Sequence, residues 1–141
     1  MIRRLDHLVL TVRDLDATVD FYTRVLGFEA RTFGEGRRAL LFGHQKINLH
    51  EAGREIAPAA RHPTPGSADL CFITDQPLSH VLQHLRAEQV PILDGPVRRT
   101  GARGPILSVY FRDPDGNLIE VATYQPEGAT PGRFEQYGTL A

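Results

Sequence analysis

Cysteine is almost absent from this 141-residue chain; Cys71 stands alone. No intrachain disulfide framework can form, and the expectation is a protein of the reducing cytoplasm. An excess of either charge is missing too, since 16 Lys and Arg face 17 Asp and Glu for a formal net charge of −1. Binding a phosphate backbone calls for a clear basic excess, so nucleic acid is not the expected partner. Long apolar runs are also lacking. Nothing approaches the roughly 18–20 residues of a membrane span, so no membrane association is expected. The start, MIRRLDHLVLTV, has the basic residues and apolar stretch of a signal peptide, but Asp6 and His7 interrupt it and no small-residue cleavage site follows. What remains is an ordinary globular composition, 41% hydrophobic and 23% charged. Such a chain can bury a core, as one compact domain or as two small fused modules.

The order of elements is informative. Leu5–Val12 is β-branched and apolar, as a buried strand should be. In the following RDLDATVDFYTRVLGF, Leu15, Val19, Tyr22 and Leu26 fall at helical spacing, with Asp14 as N-cap and Gly27 where a C′ glycine ends a helix. Three short strands are expected at Phe28–Thr32, Arg37–Phe42 and Lys46–Glu51, separated by turns around Gly34, Gly36 and Gly43. Residues 52–67 hold Pro58, Pro63 and Pro65 and read as a linker. Then the grammar starts again. Ala68–Thr74 is a strand, and Pro77–Glu88 carries Leu78, Val81, Leu82 and Leu85 at helical spacing. Further strands are expected at Pro91–Leu93, Ile106–Arg112 and Leu118–Tyr124, the last two joined by the tight-turn sequence Asp113-Pro-Asp-Gly116. The region around Arg98–Pro105 reads as a loop, and the tail 125–141 as irregular.

The pattern is βαβββ, linker, βαβββ, an internal repeat. In the opening strands Asp6-His7-Leu8-Val9 lies over Ala68-Asp69-Leu70-Cys71; in the closing strands Ile47-Asn48-Leu49 lies over Ile119-Glu120-Val121. The expected organisation is a single domain over 1–124 made of repeats at about 3–52 and 67–124. Strand alternation puts His7 on one face with Val9 and Thr11, and Glu120 with Leu118, Ala122 and Tyr124.

The strand and helix DHLVLTVRDLDATVDFYTRVLGF and the hairpin YFRDPDGNLIEV resemble the vicinal-oxygen-chelate superfamily, which includes glyoxalases, bleomycin-resistance proteins and extradiol dioxygenases. The likeness covers roughly residues 3–124. QKINLH and HPTPGSADLCFIT are similar to the glyoxalase-domain-containing protein 5 group. The resemblance implies an α+β fold: two βαβββ modules forming curled mixed sheets around a cavity, in a chain that pairs as a homodimer.

It also implies a site. Metal-binding members carry His at the position of His7 and Glu at the position of Glu120, a donor set suited to Fe²⁺, Mn²⁺, Ni²⁺ or Zn²⁺. This chain departs from them at two positions, with Asp69 where such members usually have His and Asn48 where lactoylglutathione lyases have Glu. Asp is a competent hard ligand, so His7, Asp69 and Glu120 form the expected metal set. Asn48 cannot be a general base. That leaves Glu120 as the expected catalytic carboxylate, with Asn48, His50, Tyr110 and Arg103 as substrate contacts. Each has a plainer alternative. His7 is otherwise a half-buried, hydrogen-bonded histidine, Asp69 a carboxylate on nearby backbone or an arginine, and His50 a strand-end histidine near solvent. Tyr110 is otherwise a packed aromatic. His50, two residues on from Asn48 and on the same face, is the alternative ligand at that place. Arg98, Arg99 and Arg103 form a basic connection suited to clamping a carboxylate or phosphate, or else are part of a solvated loop. Cys71 is read as packing.

In glyoxalase-type chemistry a metal holds two adjacent oxygens of a substrate, such as the hemithioacetal of methylglyoxal and glutathione. A carboxylate meanwhile removes the proton next to the carbonyl. A metal-dependent lyase or isomerase of this type is the first expectation, with glutathione as a candidate cosubstrate. Thiol transfer to an epoxide and extradiol dioxygenation use the same chelation. The rival from another class is a metal-free protein that binds a drug or metabolite.

Overall fold

The structure, a computed structural model, describes residues 1–124; the expected irregular tail lies outside the described residues. The chain forms two compact units, Met1–Ala68 with Asp113–Asn117, and Asp69–Arg112 with Leu118 onward.

The first unit runs β1 (His7–Val12), α1 (Leu15–Leu26), β2 (Glu29–Phe33), β3 (Arg37–Phe42) and β4 (Gln45–Glu51). Its sheet has the order β1-β4-β3-β2, with β1 parallel to β4 and the other pairs antiparallel. Both ends of α1 are closed by the residues that the sequence marks. Asp14 accepts a hydrogen bond from the Ala17 N–H, and Gly27 adopts φ +71° to end the helix. That left-handed conformation is strained for any residue with a Cβ. Phe21, Tyr22 and Val25 of α1 are buried, as are Leu10, Leu40 and Ile47 of the sheet, and Phe28 stacks on Phe42 at 4.5 Å. This is the apolar core of the unit.

The second unit repeats the topology with β5 (Asp69–Ile73), α2 (Leu78–Ala87), β6 (Asp94–Gly101), β7 (Gly104–Arg112) and β8 (Leu118–Tyr124). The order is β5-β8-β7-β6, again with a parallel pair, β5 and β8, at one edge. Leu78, Leu82 and Leu85 of α2 are buried, as are Leu107, Val109, Phe111, Ile119 and Val121.

The sixth strand corrects the sequence reading. No strand lies at Pro91–Leu93, and the supposed basic loop is a hairpin, with Arg98 opposite Leu107, Arg99 opposite Ile106 and Gly101 opposite Gly104. Glycines and charged residues made this stretch look irregular. A charged strand is nevertheless favourable at a sheet edge, where it resists pairing with other chains. The two central residues between Gly101 and Gly104 make the kind of short connection that joins antiparallel strands.

The turn Asp113–Asn117 is grouped with the first unit and is held there by buried polar contacts. The Tyr22 hydroxyl donates to Asp113 Oδ2 at 2.7 Å, and Asn117 Nδ2 donates to the same oxygen at 2.8 Å. Asp113 Oδ1 accepts from the backbone N–H groups of Asp115 and Asn117, both at 2.9 Å. The Arg13 N–H donates to Asp115 Oδ1 at 3.1 Å, and the Ala68 N–H to Asn117 Oδ1 at 2.9 Å. Burial, reinforced by the Asp113 charge, drives the Tyr22 pKa well above its ordinary value. Buried polar groups of this kind are tolerated because each finds a partner. Among the described residues no helix is long and apolar enough to cross a membrane.

Candidate functional site

The sheet registers make the two repeats comparable residue by residue. Asn48 lies between Val9 of β1 and Ala39 of β3; Glu120 lies between Cys71 of β5 and Tyr110 of β7. His7 pairs with Lys46, two positions before Asn48, and Asp69 pairs with Leu118, two positions before Glu120. His7 and Asp69 are therefore equivalent positions, as are Asn48 and Glu120.

In the second unit Glu120 is the centre of a polar cluster. The Ser108 hydroxyl, fully buried, donates to Glu120 Oε2 at 2.5 Å. The Cys71 thiol is pushed up to about 11 by burial first, then by the Glu120 charge and a hydrogen bond to it. Such a thiol stays protonated at neutral pH and is a poor nucleophile. The Tyr110 hydroxyl is raised by burial; its hydrogen bond to Arg99 opposes the shift and the Glu120 charge adds to it. Arg99 Nε donates to that hydroxyl at 3.1 Å, and Asp94 pairs with the other end of the guanidinium at 3.5 Å. A cavity of about 510 Å³ opens here, lined by Cys71, Arg99, Tyr110, Glu120 and Tyr124 among others. A half-buried carboxylate with the Ser108 hydroxyl on one oxygen and a cavity before it is equipped to bind a substrate hydroxyl or accept a proton. Arg103 sits elsewhere, at the hairpin turn, with its guanidinium 4.5 Å from the centre of the Tyr124 ring and its N–H donating to that hydroxyl. Ser108 and Arg99 carried little weight in the sequence, because a serine in an apolar strand and an arginine beside glycines have no spacing that marks them.

In the first unit the position equivalent to Glu120 carries an amide, Asn48, in place of a carboxylate. Asn48 and His50 are both 6% exposed, so His50 is not a solvent-side histidine. Asn48 Oδ1 and His50 Nε2 are buried without a hydrogen-bond partner. His7, by contrast, is exposed, and its Nδ1 lies 2.7 Å from Asp6 Oδ2.

Among the described residues no group of three or more His, Cys, Asp and Glu is drawn together in a form that could hold a metal ion. His7 belongs to the first unit, Asp69 and Glu120 to the second. The chemistry of each donor nonetheless suits a divalent ion. A carboxylate on Nδ1 is the usual means of fixing a metal-binding imidazole with Nε2 free. Asp69 and Glu120 stand on one face of adjacent strands and offer hard oxygen donors.

A model of the Glyoxalase/Bleomycin resistance protein/Dioxygenase superfamily matches residues 4–121, and the chain belongs to that superfamily. It is 56% identical over 124 residues to virulence protein STM3117 of Salmonella typhimurium, covering 88% of this chain and 86% of that one. An integron cassette protein of V. cholerae shares 60% identity and superposes with a TM-score of 0.87, over 89% of this chain and 98% of the other. A lactoylglutathione lyase of Agrobacterium tumefaciens is 26% identical with a TM-score of 0.69, covering 92% and 100%.

Proposed function

We propose that this protein is a cytoplasmic, homodimeric, metal-dependent enzyme of glyoxalase type, acting on a small substrate with two adjacent oxygens. The observation that carries the reading is Glu120, held by Ser108 beside Tyr110 at a cavity of about 510 Å³. His7, Asp69 and Glu120 are the residues that would hold the metal, which when bound would polarise the two substrate oxygens. Glu120 takes the proton from the carbon that bears the hydroxyl and the sulfur and returns it to the former carbonyl carbon, while the hydroxyl proton passes from one of the two adjacent oxygens to the other. Ser108 keeps the carboxylate oriented. Tyr110, His50, Asn48 and Arg103 are proposed substrate contacts, and the hemithioacetal of glutathione and methylglyoxal is the substrate to try first. The similarity to a lactoylglutathione lyase supports this choice.

Protein purified without chelator should contain a divalent metal, and His7→Ala should lose most of it while keeping its fold. If no metal is found, and calorimetry with Ni²⁺, Mn²⁺ and Zn²⁺ shows no binding, the enzymatic reading fails. A second reading, a metal-free binding protein, is favoured by one feature. Where the second repeat has a carboxylate, the first has the amide of Asn48, buried with its Oδ1 unpaired and followed two residues on by buried His50.

A further inference from the structure

Two of the six histidines of the chain, His80 and His84, lie in a helix, α2. The others, His7, His44, His50 and His62, stand in strands or loops. Leu78, Leu82 and Leu85 turn one side of α2 inward and are buried. By helical spacing His80 and His84 stand on the opposite side, and both are exposed. Residues four apart are neighbours on a helix surface, so their Cβ atoms lie about 5–6 Å apart in one row. That row continues to Glu88 at the C-cap, whereas Arg86, two residues from His84, falls outside it.

We propose that His80 and His84 form a surface site for one Ni²⁺, Cu²⁺ or Zn²⁺ ion, held by one nitrogen of each imidazole. Imidazole is the donor that suits these ions. Bonds of about 2.0–2.1 Å from two rings to one ion need side chains that are already neighbours, and i,i+4 spacing on a helix supplies them. Buried leucines hold α2 in place, so the chelating pair is formed before the ion arrives. Among the described residues no third His, Cys, Asp or Glu joins the pair to enclose an ion, so water takes the remaining positions. The ion stays in solvent, which spares it desolvation. Mg²⁺ and Mn²⁺ favour oxygen donors and gain little from two imidazoles. The pair lies apart from the proposed catalytic set of His7, Asp69 and Glu120 and does not rest on it. A chain loaded at both would hold two ions.

The test uses the full chain without an affinity tag, stripped of metal and titrated calorimetrically with Ni²⁺, Cu²⁺, Zn²⁺ and Mn²⁺. It is run in the wild type and in a chain carrying His7→Ala and Glu120→Gln, which lacks the proposed catalytic set. That second chain should still bind one Ni²⁺, with Cu²⁺ tighter and Mn²⁺ not measurably bound. Adding His80→Gln or His84→Gln should each lower the Ni²⁺ affinity by roughly tenfold or more, because the second imidazole of a linked pair binds as an intramolecular partner. Adding both should remove the site. In the wild-type background the His80→Gln/His84→Gln pair should cost one Ni²⁺ per chain and leave any turnover of methylglyoxal and glutathione unchanged. Ni²⁺ binding that is the same with and without the two histidines would overturn the proposal. So would no Ni²⁺ binding to the chain lacking His7 and Glu120, or Mn²⁺ bound there as tightly as Ni²⁺. Both histidines are exposed, so their replacement should leave the fold intact, which circular dichroism checks. Failure of the proposed catalytic site would not alter these outcomes, since the second chain already lacks it.

Discussion

Asn48 and Glu120 hold the same place in their two sheets, Asn48 flanked by Val9 and Ala39, Glu120 by Cys71 and Tyr110. One repeat therefore offers an amide where the other offers a carboxylate. The neighbours differ accordingly. Ser108 and Tyr110 supply hydroxyl groups around Glu120, whereas Val9 and Ala39 leave Asn48 Oδ1 without a partner.

This asymmetry predicts unequal effects on turnover. Glu120→Gln in the metal-reconstituted protein should lower the rate of thioester formation from methylglyoxal and glutathione by roughly 10²–10⁴-fold, the loss of a general base. Asn48→Glu should preserve or raise the rate, because it adds a second carboxylate at the equivalent position. Full activity in Glu120→Gln would remove Glu120 from the chemistry.

Cys71 gives a pH-dependent signal. Its thiol is held up to about 11 by burial and by Glu120, above an unperturbed 9.0. Only the thiolate reacts, so alkylation by iodoacetamide should be slow at pH 8 and should accelerate toward pH 11. Removing the negative neighbour favours the thiolate, so Glu120→Gln should speed alkylation at pH 8. A rate already at its plateau at pH 8 in the wild type contradicts this account.

Tyr22→Phe deletes the hydroxyl that donates to buried Asp113 Oδ2. Asp113 keeps Asn117 and two backbone donors, so the variant should fold but lose about 1–3 kcal/mol in urea denaturation. Arg24→Ala, which breaks the exposed pair with Asp20, serves as the comparison and should cost under about 1 kcal/mol.

Gly95→Ala should be poorly tolerated. Gly95 has φ +104°, and a Cβ there would meet the Ser108 carbonyl oxygen and the Val109 backbone. A strained backbone of this kind costs about 1–3 kcal/mol before the clash is added. The displaced strand carries Ser108 and Tyr110, so both thermal stability and turnover should fall. Gly27→Ala shares the positive φ but has open space around it, so its loss should be confined to stability.

Much of the fold was legible because it rests on short-range rules. Asp14 and Gly27 bound α1 as caps, and the extents of Arg37–Phe42 and Leu118–Tyr124 follow from apolar runs between turn residues. β7 was legible as Ile106–Arg112, but β6 was not. Most residues of β6 are charged, glycine or proline, and they are held in a strand by pairing with β7 across the turn between Gly101 and Gly104. In the site, Glu120 and Asn48 could be singled out by the repeat, but the partners of each could not.

The sequence by itself determined the order of elements, the repeat, and with it the equivalence of His7 with Asp69 and of Asn48 with Glu120. Alternation and turn chemistry act over a few residues, and a repeated pattern carries its register with it. Only the tertiary structure decided which side chains surround Glu120, that the Asp113–Asn117 turn is buried against Tyr22, and that His50 lies buried with its Nε2 unpaired. Burial and hydrogen-bond partnership belong to the space between strands. That space exists only once β8 lies between β5 and β7, and β4 between β1 and β3.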